Sequence, residues 1–87
     1  MDAALLEDVK SVVVTRLGIE DRAGSLDAAS PLFGAVPELD SLGVLEVVTA
    51  LESRFGITVD DEEFSGDVFE TLGSLTEFVA SKLGQAG

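Results

Sequence analysis

The spacing of apolar residues between positions 41 and 55 constrains the fold of this chain more than any other feature. Five apolar residues recur there at intervals of three and four: Val44, Val47, Val48, Leu51 and Phe55. On a helical wheel of about 100° per residue they fall within an arc of about 100°. A stripe of this width predicts an amphipathic helix that buries one face in a shared core.

A second helical pattern runs from about Ala3 to Leu17 and predicts the first helix of the chain. Its apolar residues at steps of three and four are Leu6, Val9, Val13 and Leu17. Gly18 follows, and glycine often ends a helix because it adopts the left-handed conformation without strain. From Gly18 to Leu39 no period persists, which predicts a long loop. Its own apolar side chains can pin this loop to the core: Ile19, Leu26, Leu32, Phe33 and Val36.

Two more helical signals lie in the second half of the chain. The acidic run Asp60–Phe64 predicts a short helix, with Asp60 as its cap and Glu63 three residues on. Ser74-Leu75-Thr76-Glu77 has the form of a capping box and predicts the start of the last helix, which Gly84 closes. Four amphipathic segments of this size must share one core. We therefore predict an all-α four-helix bundle in a single domain over residues 1–87, with three main helices, a short third helix and a long loop between the first and second helices.

The charge of the chain narrows the range of partners. Seventeen acidic residues against five basic ones give a net charge of −12, which disfavours nucleic acid and anionic membrane surfaces and favours basic partners. No apolar run approaches the ~20 residues that span a bilayer, and the N-terminus lacks the basic region of a secretory signal. We expect a cytoplasmic monomer without stable membrane insertion, and the absence of cysteine fits a reducing compartment.

The residues needed for common catalytic sites are missing from the sequence. There is no His, Cys or Tyr, so neither a Ser-His-Asp nor a Cys-His arrangement can be built. The glycines are dispersed and form no phosphate-binding loop. The acidic run Asp60–Phe64 lacks the alternating ligands of an EF-hand. We therefore predict no catalytic residue and no metal site, which disfavours a small enzyme.

The tripeptide Asp40-Ser41-Leu42 stands where the long loop meets the second helix. Asp and Ser are common helix caps, but the start of a helix is also a place where a hydroxyl is displayed for modification. The wheel places a second set of residues opposite the core stripe: Leu42, Leu45, Glu46, Thr49 and Ser53, with Glu52 at the margin. These two leucines are either ordinary exposed residues or part of a docking surface for a basic, partly apolar partner.

Three stretches of the sequence together carry a family resemblance. They are Leu39-Asp40-Ser41-Leu42, then Leu45-Glu46-Val47-Val48-Thr49-Ala50-Leu51-Glu52 with Phe55-Gly56-Ile57, and Thr71-Leu72-Gly73-Ser74-Leu75. In this order and spacing the chain resembles the acyl carrier protein family over nearly its whole length. The resemblance implies a carrier that is not an enzyme. It also implies that Ser41 receives 4′-phosphopantetheine from coenzyme A through a separate, magnesium-dependent phosphopantetheinyl transferase. The thiol of this arm would hold acyl groups as thioesters.

The resemblance also implies roles for the residues around Ser41. Because Asp40 and the phosphate carry like charge, we expect either that the phosphate projects away from Asp40 or that Asp40 helps to bind the metal of the transferase. Five positions would face basic patches on the enzymes that load or use the acyl group: Leu42, Leu45, Glu46, Thr49 and Glu52. Ser53-Arg54 stands where many fatty-acid carriers have further acids, so this face is less acidic than usual.

Several functional alternatives remain open at the level of sequence. The pathway would be fatty-acid, polyketide or other specialised acyl metabolism. The combination of Pro37-Glu38-Leu39-Asp40-Ser41 with Phe69-Glu70-Thr71-Leu72-Gly73 resembles specialised bacterial carriers more than housekeeping fatty-acid carriers. A peptidyl or aminoacyl carrier is a close variant, but such carriers usually have Gly-Gly-His-Ser where this chain has Glu38-Leu39-Asp40-Ser41. An unmodified acidic helical interaction module, in which Ser41 is only a cap, is the remaining alternative.

Overall fold

The structure, a computed structural model, describes residues 2–32, 40–60, 63 and 67–85. Over these ranges it contains three α-helices, which we label α1 (Ala3–Leu17), α2 (Ser41–Phe55) and α3 (Leu72–Gln85). A 3₁₀ helix, Glu20–Ser25, lies between α1 and α2. The described ranges include no strand, and their only β-type pairing is an isolated antiparallel bridge between Pro31 and Thr71. The predicted all-α class is confirmed.

Helix α1 occupies the centre of the bundle, because it packs against α2, α3 and the 3₁₀ helix. Its predicted stripe is confirmed: Val9 and Val13 are buried, and Leu6 and Leu17 are half-buried beside them. Gly18 ends the helix with a φ of 70°, in the left-handed conformation that favours glycine. The pattern of the sequence therefore placed both the face and the end of α1 correctly.

The core is one cluster of buried apolar side chains drawn from all three α-helices and the segments that join them. Its members are Val9, Val13, Val14, Ile19, Leu32, Val47, Val48, Leu51, Ile57, Phe69, Leu72, Leu75 and Val79. Each such side chain stabilises the fold by roughly 1.5–3 kcal/mol relative to full exposure. The loop is pinned to this core as predicted by Ile19, Leu26 and Leu32, whereas Phe33 and Val36 lie outside the described residues.

The prediction of an entirely irregular loop after Gly18 is wrong for the segment Glu20–Ser25. There the backbone makes 3₁₀-type bonds, including one of 2.8 Å from the N–H of Arg22 to the carbonyl of Ile19. A 3₁₀ helix of this length is too short to leave a hydrophobic period in the sequence. Local backbone bonding, and not an amphipathic stripe, defines this element.

Residues 28–32 of the loop are bonded to the start of α3 and to the residues just before it. Three backbone hydrogen bonds join them: Leu32 N–H to Glu70 O (3.1 Å), Leu72 N–H to Ser30 O (3.0 Å) and Gly73 N–H to Ala28 O (2.9 Å). The first N–H groups of an α-helix have no acceptor within the helix itself. Loop carbonyls supply two of those acceptors here, so the loop caps α3 while α3 holds the loop in place.

The start of α3 differs from the predicted capping box at Ser74-Leu75-Thr76-Glu77. The helix begins at Leu72, and the reciprocal bonds are made by Thr71 and Ser74. The N–H of Thr71 donates to Ser74 Oγ, and the N–H of Ser74 donates to Thr71 Oγ1, each at 3.0 Å. Two hydroxyls thus give the geometry of a capping box without the usual Glu or Gln. The helix also continues past Gly84 to Gln85.

Of the predicted short helix Asp60–Phe64, only Asp60 and Glu63 belong to the described residues. The two residues are bonded to each other, since the N–H of Asp60 donates to Glu63 Oε1 at 3.1 Å. Lys82 of α3 donates to both carboxylate oxygens of Glu63, at 2.8 and 2.9 Å. This pair joins the turn after α2 to the last turn of α3.

We predict that the pair formed by Glu63 and Lys82 stabilises the fold in a pH-dependent way. The hydrogen bond from Lys82, followed by that from the N–H of Asp60, holds the pKa of Glu63 below its ordinary value of 4.5. Because the folded pKa is lower than the unfolded one, this stabilisation is complete above pH 4.5 and is lost as pH falls through the folded pKa. We therefore expect Glu63→Gln to lower the Tm at pH 7, and the difference from the parent chain to shrink as the pH falls below 4.5.

Thermal unfolding followed by circular dichroism over a pH series measures this difference. Glu77→Gln is the matched control, because Glu77 is an exposed acid on α3. A Tm difference for Glu63→Gln that is the same at every pH, or no larger than that of the control, contradicts the prediction.

Candidate functional site

Asp40 caps α2, and Ser41 is the first residue of this helix. The Oδ1 atom of Asp40 accepts a hydrogen bond from the N–H of Gly43 at 2.8 Å. The carbonyl of Asp40 accepts from the N–H of Val44 at 2.9 Å, which is the first bond of the helical ladder. From the sequence, either Asp40 or Ser41 could cap α2. In the structure the cap is Asp40.

The N-terminal end of α2 has the electrostatics of an anion site. Within the helix the N–H groups of Ser41 and Leu42 have no carbonyl to bond, and the helix dipole adds partial positive charge at this end. Free N–H donors and a positive helix end are favourable surroundings for a phosphate group. The carboxylate of Asp40 opposes an added anion, but it points one oxygen at the N–H of Gly43. The residues at this helix end thus fit a phosphate-linked group.

The outer surface of α2 carries an exposed apolar pair next to this helix end. Leu42 is 65% exposed and Leu45 is 58% exposed, although large apolar side chains elsewhere in the described chain are at least partly buried. Glu46 and Thr49 are also exposed. We call these four residues the outer face of α2. The structure confirms the separation from the core stripe, since Val47 and Leu51 are buried.

Glu52 differs from the other predicted partner-binding residues because it is half-buried and already bonded. Its Oε2 atom accepts a hydrogen bond from the N–H of Val59 at 2.8 Å. Gly56 ends α2 with a φ of 66°, and the carboxylate of Glu52 then holds the chain that follows. This structural role cannot be predicted from the sequence, because no local pattern links a helix acid to a residue seven positions later.

The remaining site features concern metals and membranes. Residues 2–32, 40–60, 63 and 67–85 include no cluster of three or more potential ligands that could hold a metal ion. No helix in that same part of the chain is long and apolar enough to span a bilayer.

Pro37, Glu38 and Leu39, which contributed to the resemblance, lie outside the described residues.

Comparison with known families identifies the class of protein that this fold and helix end define. Residues 7–79 match the family model described as a phosphopantetheine attachment site. The match spans most of the chain, including α1, α2 and the start of α3. The protein is therefore a phosphopantetheine-bearing carrier, with the prosthetic group attached covalently, and not an enzyme.

Two relatives narrow this class to the acyl carrier proteins. The chain is 32% identical over 79 residues to an acyl carrier protein of Petrotoga mobilis, a match that covers 91% of this chain and 87% of the relative. The solution NMR structure of a holo acyl carrier protein from Nitrosomonas europaea superposes with a TM-score of 0.84. That protein is 48% identical, with 91% of this chain and 95% of the other covered. The chain belongs to the acyl carrier protein family, as the resemblance implied, and family members interact with a phosphopantetheinyl transferase and acyl-handling enzymes.

We predict that loss of the Asp40 cap destabilises the bundle through the freed N–H of Gly43. Asp40→Ala removes the acceptor at 2.8 Å, and we expect the free energy of unfolding to fall by about 1 kcal/mol. Asp40→Asn removes the charge but keeps an amide oxygen as acceptor, so most of the stability should remain. Urea unfolding measures both variants. Equal losses in the two variants would show that charge, and not the cap bond, is the stabilising feature.

Proposed function

We propose that Ser41 is the residue that carries the 4′-phosphopantetheine arm of this acyl carrier. The observation that supports this most directly is the cap at Asp40, whose carboxylate accepts from the N–H of Gly43. Ser41 is therefore not needed as the cap of α2, which removes the main structural alternative for a serine at this position. The next residue, Leu42, is 65% exposed, which supports an accessible position for this end of the helix.

The hydroxyls of three other serines are committed to the fold. Ser25 Oγ donates to the carbonyl of Arg22 at 2.8 Å, and Ser30 Oγ donates to Asp27 Oδ1 at 3.2 Å. Ser74 Oγ donates to the carbonyl of Val68 at 2.9 Å and completes the start of α3. Modification of any of these would break a bond that holds a turn or a helix end, whereas the start of α2 is held by Asp40.

The arm supplies a terminal thiol that carries acyl groups as thioesters, chemistry that a chain without cysteine does not otherwise possess. The chain's own residues hold the attachment point in a defined place. Asp40 fixes the first turn of α2, and the buried Val47 and Leu51 fix the rotation of the helix against the core. The unpaired N–H groups and the helix dipole then favour the phosphate at this end.

The outer face of α2 is the proposed docking surface for the enzymes that load and use the acyl group. Leu42 and Leu45 offer apolar contact beside Ser41, and Glu46 adds negative charge one turn further on. In a chain of net charge −12, this face would steer basic patches of partner enzymes towards the arm. Glu52 lies at the margin of this face. Because its carboxylate is bonded to the N–H of Val59, we expect it to contact partner enzymes less than the four residues of the outer face do.

The finer biological setting is also part of this proposal. The carrier would serve fatty-acid, polyketide or other specialised acyl metabolism as a single-domain monomer. A cytoplasmic location is supported by the absence of cysteine, which suits a reducing compartment.

We predict that Ser41→Ala abolishes modification of the chain. The purified protein is incubated with coenzyme A, magnesium and a broad-specificity phosphopantetheinyl transferase, and its intact mass is measured. The parent chain should gain the mass of one phosphopantetheine group, and Ser41→Ala should gain none. Ser53→Ala, which removes an exposed hydroxyl elsewhere on α2, should be modified like the parent. The proposal fails if the parent gains no arm or if Ser41→Ala still accepts one.

We predict that charge reversal on the outer face of α2 weakens docking without unfolding the helix. Glu46→Lys should raise the KM of the transferase for this carrier by about three- to tenfold, because attraction to a basic patch becomes repulsion. Initial rates of arm transfer measure the KM, and far-ultraviolet circular dichroism checks the helical content. Glu77→Lys makes the same change of charge on the exposed side of α3 and should have little effect. An equal effect of both variants would point to net charge instead of a docking face.

A further inference from the structure

A groove of about 530 Å³ lies between α1 and α2, away from the start of α2. The wall formed by α1 consists of Ser11, Val12, Thr15 and Arg16. The hydroxyl residues Ser11 and Thr15 are one helical turn apart. Val12 and Arg16, which follow them in the sequence, are also one turn apart.

The wall formed by α2 repeats the same arrangement. Its residues are Thr49, Ala50, Ser53 and Arg54, so hydroxyl, small apolar, hydroxyl and arginine recur at the same spacing. The two walls together give a groove with half-buried Val12 and Ala50 and exposed hydroxyls and guanidinium groups. Such a surface suits an occupant with a short apolar stem and an anionic end.

The charge of this groove is opposite to that of the chain as a whole. The chain has seventeen acidic residues and five basic ones, yet the groove is lined by two of the five bases and by none of the acids. The ion pairs found among residues 2–32, 40–60, 63 and 67–85 do not include Arg16. A patch of this sign on an acidic protein is complementary to an acidic side chain of a partner.

Arg54 has a loose partner that does not prevent this role. Its guanidinium lies 3.7 Å from Asp8 Oδ1, and the two side chains are 56% and 49% exposed. Exposed ion pairs of this kind contribute little and exchange readily. The guanidinium also lies 5.4 Å from the centre of the Phe55 ring, which limits its orientations.

The groove is continuous with the outer face of α2, because Thr49 belongs to both surfaces. Glu46 and Arg54 are eight residues apart, which is about 12 Å along the helix axis. This separation exceeds the Debye length of about 8 Å at physiological salt, so a partner senses the two charges separately. An enzyme that covers the outer face can therefore reach the groove along α2.

We propose that the groove binds an acidic side chain of a partner enzyme, so that partners of this carrier have an acidic contact in addition to a basic patch. This inference rests on the proposed docking face and adds a second contact of opposite sign to it. The basic patch of the enzyme would lie on Glu46 and its acidic residue would enter the groove beside Arg16 and Arg54. The two contacts fix the direction in which the enzyme lies along α2, because a reversed complex would place like charges together.

The test is a comparison of charge reversals in the arm-loaded carrier with a purified acyl-transferring enzyme that acts on it. Arg16→Glu and Arg54→Glu should each raise the KM for the carrier by about three- to tenfold. Arg22→Glu, in the 3₁₀ helix and outside the groove, makes the same change of charge and should raise it less than about twofold. Thermal unfolding shows whether each variant is folded. Replacing the contacting acid of the enzyme by lysine should restore the KM of the groove variants.

The outcomes separate this inference from the proposed function. Arm addition to Ser41 with an unchanged KM in both groove variants overturns the groove contact and leaves the attachment site intact. Failure of arm addition in the parent chain overturns the proposed function instead. A titration with inorganic phosphate, followed by NMR of the labelled carrier, provides a further criterion. If phosphate shifts the NMR signals of the groove residues but the groove variants leave the KM unchanged, the groove is a site for a small anion. That result also overturns the proposal.

Discussion

The burial of the α2 stripe against α1 is the interaction on which the rest of the site depends. Val47 and Leu51 are in the core with Val9 and Val13, and this packing fixes the rotation of α2 about its own axis. A helix has only one rotation that buries such a stripe, so the opposite side must face solvent. The exposure of Leu42 and Leu45 therefore follows from the packing and needs no separate structural device.

The ends of the helices are fixed by polar contacts of a different kind. Asp40 caps α2, Thr71 and Ser74 cap each other's N–H groups at α3, and Glu52 holds Val59 after α2. Each of these contacts gives an acceptor to a backbone N–H group that has none within its helix, because the group lies in the first turn or just outside the helix. The core determines which face of α2 is outside, and the caps determine where its first residue, Ser41, stands.

The sequence predicted the parts of this molecule that repeat along the chain. The stripes of α1 and α2, the glycine that ends α1 and the exposed pair Leu42 and Leu45 all follow from residues a few positions apart. The order of motifs around Ser41 was enough to indicate the family. The 3₁₀ helix Glu20–Ser25 was not predicted, because it is too short to show a period. The role of Glu52 depends on a bond to Val59, and the groove depends on two helices that meet only in the folded chain. Such contacts have no signature in a local window.

The hydrogen bonds between the loop and α3 have a consequence for how the chain folds. Ala28 and Gly73, whose backbones are bonded at 2.9 Å, are about half the chain apart in sequence. Helical bundles usually fold fast because most of their contacts are local, and a contact of long range slows the search because the chain must first close a large loop. Helices α1 and α2 can form early from neighbouring residues, but the first turn of α3 gains its full set of acceptors only when residues 28–32 arrive. We therefore expect the completion of α3 and the ordering of residues 28–32 to occur together, after α1 and α2 have formed.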